Sequence, residues 1–407
     1  MSETIKDKLV IKKVTLAHIN QYEELLNYVF QVTKRMLREY GYEEGEFNRS
    51  KQPILRNAEV LGWFTENDRL ISSLSIYPFL VNIHGTEYEM AGLTGVGTYP
   101  EFSNMGLMND LIKMGLEKMR EAKQYISYLF PYSISYYRKK GWEIMSDRMT
   151  FTLKDTQVPK YHPVSGHVER KKVSDPSVIT IYQQFAKITH GSLIRNQFEW
   201  TEYWRWENEE ERTAAVYFDT NNNPLGYLFY WVENDVFHIK EMVYITQDAR
   251  HGLWNFVGAH GSMIEEIRGT KYMNEPLAFN LDDSQIVETI EPYYMARIVD
   301  VKGFLSAYPW DDTIEPFHFV VSDPIAEWNN GIFGIRPSTH QAFTADITRE
   351  PEGKAVKIDI QTLSTLFMSY KSPAYLHRLG RIQTDEVTLR MLEKLIPTEQ
   401  PYFSDYF

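Results

Sequence analysis

Apolar and polar positions in the first 155 residues change their period several times. A short apolar run at Leu9–Ile11 predicts a strand. Ile19, Tyr22, Leu26, Val29 and Phe30 then recur at steps of three and four, the spacing of one helix face. Three runs rich in β-branched and aromatic residues follow: Ala58–Phe64, Leu70–Leu80 and Glu87–Thr98. Glu66-Asn67-Asp68 and His84-Gly85 separate them, so an antiparallel meander is predicted. Met108, Leu111, Ile112, Gly115, Leu116 and Met119 return to helical spacing and predict a helix from about Met105 to Ala122. A strand at Tyr125–Phe130, a short helix at Ser133–Lys140 stopped by Gly141, and a strand at Trp142–Leu153 complete the order β, α, three-stranded meander, α, β, α, β.

From about Lys171 the pattern is partly repeated. Helical residues come first, then strands at Ala214–Phe218, Leu225–Val232 and Val236–Tyr244, then a helix over about Asp248–Ile267. Val96 lies ten residues before Gly106-Leu107-Met108, and Met242 ten before Gly252-Leu253-Trp254, which suggests an internal duplication with an offset of 146 residues. The last hundred residues read as a third, α+β unit. Ala296–Phe304 is a strand leading into a helical turn, Phe317–Val321 and Val356–Ile360 are strands, and Leu363–Met368 and Val387–Lys394 are helices. The chain ends in Pro401-Tyr402-Phe403-Ser404-Asp405-Tyr406-Phe407, four of whose seven residues are aromatic, unusual for a frayed terminus.

Composition narrows the chemistry. The 407 residues and 43% hydrophobic content suffice for two or three domains. Cysteine is absent, which removes disulfides, thiolate metal sites and cysteine acyl intermediates. The eleven histidines show no metal-ligand spacing, so no metal is expected. A net charge of −12 disfavours nucleic acid and suits a cationic substrate, although solubility alone also explains it. Glu23, Glu24 and Asp405 are the carboxylates considered for such a substrate. No run is long and apolar enough for a membrane helix and the start is charged, so a cytoplasmic protein without membrane partners is expected.

Val96-Gly97-Thr98, followed by Ser103-Asn104-Met105-Gly106-Leu107-Met108, has the form of a strand entering a small-residue turn and then a helix. Such a turn offers backbone N–H groups and a positive helix end to phosphates. Here the chain resembles the GNAT superfamily, whose phosphate turn reads Q/R-x-x-G-x-G/A. Gly106 is the matched position, while Ser103 and Met108 depart from the pattern. Tyr136-Tyr137-Arg138-Lys139-Lys140-Gly141-Trp142 is similar to the Y-x-x-x-G-[FYW] segment of many GNAT proteins. That likeness implies that Tyr137 protonates a departing thiolate, a role suited to a phenol; packing under the short helix is the plain alternative.

The whole chain resembles the enhanced-intracellular-survival (Eis-like) family of N-acetyltransferases. Gly95-Val96-Gly97-Thr98-Tyr99-Pro100, Met295-Ala296-Arg297-Ile298-Val299-Asp300-Val301 and the aromatic ending carry the likeness. It implies an α/β and α+β architecture: a catalytic GNAT domain at 1–155, a degenerate second GNAT-like domain at 156–292 and a sterol-carrier-protein-like domain at 293–407. It further implies acetyl-CoA as co-substrate, bound by Val96, Gly97, Thr98 and Ser103 to Met108 of the first domain. Arg250-His251-Gly252-Leu253-Trp254 is taken as the corresponding but non-binding turn of the second. Direct attack by an amine in a ternary complex, a polycationic acceptor such as an aminoglycoside, and a homo-oligomer are also implied. So is the terminal carboxylate of Phe407 as general base; a tail merely packed by its aromatics is the other reading. At this stage two further functions stay open: a non-catalytic binding protein on a degenerate GNAT scaffold, and an aminoacyl transferase using charged tRNA, which the acidic balance opposes.

Overall fold

Two seven-stranded sheets and one of five strands organise the chain among the described residues. The structure is a computed structural model and describes residues 5–33, 46–197, 199–200, 212–273, 276–310, 315–338 and 345–407. In chain order, the first region contributes β1 (Val10–Lys13), α1 (Ile19–Val29), α2 (Glu46–Asn57), β2 (Glu59–Phe64), β3 (Leu70–Ile83), β4 (Thr86–Thr98), α3 (Leu107–Glu121), β5 (Ile126–Leu129), α4 (Ile134–Arg138) and β6 (Glu143–Ile144). The second region contributes β7 (Asp147–Lys154), β8 (His167–Lys171), α5 (Pro176–Ile188), β9 (Thr213–Phe218), β10 (Pro224–Glu233), β11 (Val236–Tyr244), α6 (Gln247–Gly258), β12 (Glu266–Lys271) and β13 (Val287–Pro292). After β14 (Met295–Ile298) come α7 (Val301–Ala307), β15 (Phe317–Ser322), β16 (Gly331–Pro337), β17 (Ala345–Thr348), β18 (Lys354–Asp359), α8 (Ile360–Phe367), α9 (Pro373–Arg378), β19 (Ile382–Gln383) and α10 (Glu386–Leu395).

The first sheet runs β1-β2-β3-β4-β5-β14-β6 and the second β8-β9-β10-β11-β12-β7-β13. Each therefore borrows one strand: β14 enters the first sheet between β5 and β6, and β7 enters the second between β12 and β13. The 146-residue offset between Val96 and Met242 also separates Met149 in β7 from Met295 in β14. The duplication thus extends to a reciprocal strand exchange. The third sheet, β17-β16-β15-β18-β19, is mixed, with β15 and β18 parallel.

The predicted meander is present, and the strand predicted at Val236–Tyr244 has those limits. Two predicted elements are corrected. Trp142–Leu153 is not one strand; it breaks at Met145-Ser146, where Met145 N–H bonds the Tyr294 carbonyl, and its halves enter different sheets. The helix expected over Asp248–Ile267 ends at Gly258, and Ile267 belongs to β12. The strand expected to lead into a helical turn over Ala296–Phe304 is present: β14 ends at Ile298 and α7 starts at Val301. Sheet membership also crosses the sequence divisions at 155 and 292, because β7 lies before the one and β14 after the other.

A buried ion pair fastens the third region to the first. Arg297 of β14 lies 2.6 Å from Asp323, both with fully buried side chains, and its guanidinium faces Trp142 and bonds the Lys140 carbonyl. Gly141, at φ +94°, ends the segment that carries Tyr137, and any Cβ there would overlap Arg297. That glycine is required both by its left-handed backbone and by the guanidinium pressed on it.

Candidate active site

Parallel strands β4 and β5 pair only from Met90–Gly92 to Ile126–Tyr128. Beyond Gly92 they part, whereas β4 stays bonded to β3 as far as Thr98 opposite Ser72. A register shift between Ser73 and Ser75 marks a bulge near Gly95, whose φ is +59°. A side chain there would press on Ser75, whose hydroxyl lies 2.6 Å from the Tyr22 hydroxyl. Burial pushes the Tyr22 phenol up to about 12, so this small polar cluster stays neutral. Leu93–Thr98 consequently form an internal sheet edge without a β5 partner.

Val96, Gly97 and Thr98 lie on this edge, Val96 and Thr98 half-buried and Gly97 buried against Val29 of α1. The chain then turns through Ser103 and Asn104, both exposed, and Met105 to Gly106. Asn104 (φ +61°) and Gly106 (φ +76°) are left-handed, and α3 begins at Leu107. The N–H groups of Leu107 and Met108 have no carbonyl one turn back to bond, and no side chain caps the helix. A Cβ added at Gly106 would meet only the Lys6 ammonium, 3.6 Å away. Lys6 also pairs with Asp110 (2.6 Å), and Lys140 donates to Asn109 in the same first turn (2.5 Å). Two ammonium groups, neither picked out by the sequence pattern, thus flank a helix start whose preceding turn lacks the expected arginine or glutamine at Ser103. Of the nine residues of the expected phosphate turn and strand edge, Gly97 and Leu107 are buried and the other seven are half-buried or exposed.

Tyr137 sits in α4, whose N-cap Ser133 accepts from Tyr136 N–H. Its ring packs edge-on against Tyr136 and Trp142, at 5.2 and 6.2 Å. Burial raises the phenol above its ordinary range, so it holds its proton at neutral pH. Phe407 comes from the far end of the chain to the point where β4 and β5 separate. Its ring lies 4.8 Å from Phe79 and 5.4 Å from Tyr294, and its N–H donates to the Tyr294 hydroxyl (3.2 Å). A Cβ at Gly92, the last β4 residue paired to β5, would come within 2.8 Å of the Phe407 ring. Glycine at 92 makes room for the terminal residue. No hydrogen bond or ring contact joins Tyr137 to Phe407 among the described residues.

Two expectations change. Asp405 does not face solvent to receive a substrate: it is buried and paired with Arg195 at 2.7 Å. Gly252 does not stand at a helix-start turn. It is in the middle of α6 and packs on Tyr217, because the helix starts four residues before the preceding His251, after Thr246. Among the described residues no helix is long and apolar enough to cross a membrane, and no group of three or more potential metal-ligating side chains converges.

Residues 10–145 match an acetyltransferase (GNAT) domain model, residues 191–298 a second acetyltransferase (GNAT) domain model, and residues 301–404 a sterol carrier protein domain model. A protein of Enterococcus faecalis V583, described as a probable N-acyltransferase, is 26% identical with a TM-score of 0.86 over 98% of this chain and 99% of its own. A GCN5-related N-acetyltransferase of Anabaena variabilis is 23% identical with a TM-score of 0.82 over 98% and 100%. Eis1 of Mycobacterium abscessus is 17% identical with a TM-score of 0.79 over the same shares. No curated protein matches the sequence. The domains and fold define a tandem-GNAT acetyltransferase. Its organisation is Eis-like, two GNAT domains followed by a sterol carrier protein domain, and it shares the fold of Eis1 along almost its whole length.

Proposed function

We propose that this acetyltransferase carries an acetyl group from acetyl-CoA to an amine by direct attack in a ternary complex at the β4–β5 parting. The supporting observation is the chain terminus, brought from 315 residues downstream against Gly92 where the two strands separate. When bound, acetyl-CoA supplies the acyl carbonyl and a thiolate leaving group. The uncapped turn suits its phosphates, since a Cβ at Gly106 would meet only the Lys6 ammonium and the Leu107 and Met108 N–H groups are left over. Val96, Gly97 and Thr98 offer the strand edge that orients the ligand, and Ser103 to Met108 cradle the pyrophosphate. Lys6 and Lys140 add the positive charge that Ser103 does not.

The Phe407 carboxylate accepts the proton that the amine loses as the nitrogen–carbon bond forms. Tyr137 Oη gives a proton to sulfur as the carbon–sulfur bond breaks, and exchange with solvent restores both groups. Phe79, Phe403 and Tyr294 pack around the Phe407 ring, and an apolar setting of that kind strengthens a carboxylate as a base. The acceptor is a small-molecule amine, and a polycationic one such as an aminoglycoside is what the family resemblance and the −12 charge favour. A cytoplasmic homo-oligomer without a nucleic-acid or membrane partner completes the reading.

A short Gly-Ser extension after Phe407 tests it, because the carboxylate is replaced by an amide while every aromatic side chain remains. We expect kcat to fall by about 10²-fold with acetyl-CoA affinity unchanged. Phe407→Leu, which keeps the carboxylate and trims packing, costs less. Full turnover by the extended protein rules out the terminal base.

A further inference from the structure

The tail that ends in Phe407 is held by the second GNAT domain, and Arg195 is a buried contact in that grip. Its side chain is fully enclosed. Its Nε donates to Asp405 Oδ1 (2.7 Å) and its Nη2 to the Ser404 hydroxyl (3.2 Å), while the guanidinium lies over Tyr182 at 3.7 Å and Trp200 at 4.7 Å. Tyr182 donates to the second Asp405 oxygen and Tyr293 to the Asp405 carbonyl, both at 3.2 Å. Upstream, the Tyr402 hydroxyl donates to Glu241 of β11 (2.8 Å). The planar guanidinium therefore fixes the direction of the backbone at Ser404 and Asp405 as well as its depth.

Only two residues separate Asp405 from the terminal carboxylate, a reach of about 7 Å. An angular error at Asp405 is passed to Tyr406, which is half exposed, and on to the backbone of Phe407, whose ring and N–H are held by Phe79 and Tyr294. We propose that Arg195 is a positioning residue of the reaction: from the second domain, through Asp405 and Ser404, it sets where the Phe407 carboxylate stands in the first. This rests on the reading of that carboxylate as the base. It gives the second domain a part in turnover without any ligand of its own. Apolar packing alone would bury the tail as well as the ion pair does; the pair adds direction.

The test uses the full-length protein with Arg195→Gln, Arg195→Lys and Asp405→Asn. Release of Phe407 by a carboxypeptidase, without acetyl-CoA, reports the tail; kcat and the acetyl-CoA Kd report its consequence. In Arg195→Gln we expect release at least about tenfold faster and kcat lower by about 10- to 100-fold, the scale of a small misplacement, with Kd within about twofold. Arg195→Lys, keeping a cation but not the fork, should fall between this and the parent. If the tail is released no faster, or is released faster while kcat holds, Arg195 does not position the base. The Gly-Ser extension separates the two readings. An inactive extended protein beside a fully active Arg195→Gln overturns only the positioning role; an extended protein at full rate overturns the base and the positioning role with it. Where Arg195→Gln loses its near-ultraviolet circular dichroism, Asp405→Asn, which keeps the shape of the acceptor, decides by the same two readouts.

Discussion

The two GNAT domains build the same strand parting and treat it in opposite ways. In the first, β4 and β5 separate after Gly92 and the last residue of the chain is brought to the gap. In the second, β11 and β12 pair over Val236–Ile239 and then separate, and protein closes the space. Glu241 is buried there, bonded by the Tyr227 and Tyr402 hydroxyls, and Phe403 N–H bonds the Tyr272 carbonyl just beyond β12. The helix starts diverge likewise. Gly106 leaves α3 uncapped, whereas Thr246 caps α6 by accepting from Ala249 N–H, and Asp248 in its first turn accepts from Ser165 and Tyr217. An uncapped helix start has N–H groups to give to an anion; a capped one has turned them into stability. In the proposed reading, ligand capacity follows from what a repeated fold leaves unsatisfied.

The largest effect is expected where the first helix start is blocked. Gly106→Glu places a carboxylate on the positive helix end and a Cβ on a left-handed residue, which costs about 1–2 kcal/mol of backbone strain. Acetyl-CoA affinity by calorimetry should drop by more than about 10²-fold while far-ultraviolet circular dichroism is kept. Unaltered affinity would take this turn out of the site and erase the distinction between the two helices.

Tyr137→Phe comes next. It keeps the ring between Tyr136 and Trp142 and removes the proton, so kcat should fall by about 10²-fold, or about 2.7 kcal/mol, with acetyl-CoA binding intact. Turnover near that of the parent would make Tyr137 a packing residue.

The junction between the two domains should respond to acid. His84, at the β3–β4 turn, stacks on His190 at 3.6 Å, and Ser369, Tyr308 and the Met368 carbonyl complete their surroundings. Burial lowers both imidazoles, His84 to about 4. The unfolded chain, with histidines near 6.5, binds protons first as pH falls, so stability is complete above about 6.5 and is lost progressively down to about 4. His84 alone should remove about 2 kcal/mol between pH 7.5 and 5, read from urea midpoints. His84→Gln should flatten that slope; an equal slope in the variant would place the acid sensitivity elsewhere.

What could be seen from the sequence follows from what is local. The meander, the turn glycine at 106 and the short helix of the Tyr137 segment are each written in a few neighbouring residues, and the structure forms each of them there. The strand exchange is not local: Asp147–Lys154 alternates as well in either sheet, and only its neighbours β12 and β13 show which one it joins. Nothing near Asp405 in the sequence marks it as paired, because its partner Arg195 is 210 residues away. Gly252 looked like Gly106 because both precede an apolar helical run, but the capping Thr246 starts α6 earlier and moves the glycine into the helix. Lys6 and Lys140 carry no periodic signal, and their meeting at α3 is a product of the fold.

The smallest effect concerns the capped helix start and tests the contrast from its quieter side. Thr246→Ala deletes the hydroxyl that accepts from Ala249 N–H at 3.2 Å and leaves the side-chain hydrogen bonds of Asp248 to Tyr217 and Ser165 in place. Loss of such a cap costs about 1 kcal/mol, so the urea midpoint should fall slightly with an unchanged slope. Because those N–H groups already serve the fold, acetyl-CoA affinity and kcat should stay within experimental error of the parent. A variant that unfolds as the parent does but binds acetyl-CoA more weakly would show that the second helix start takes part in ligand binding. The two domains would then differ in degree, and the cap would not be what silences the second.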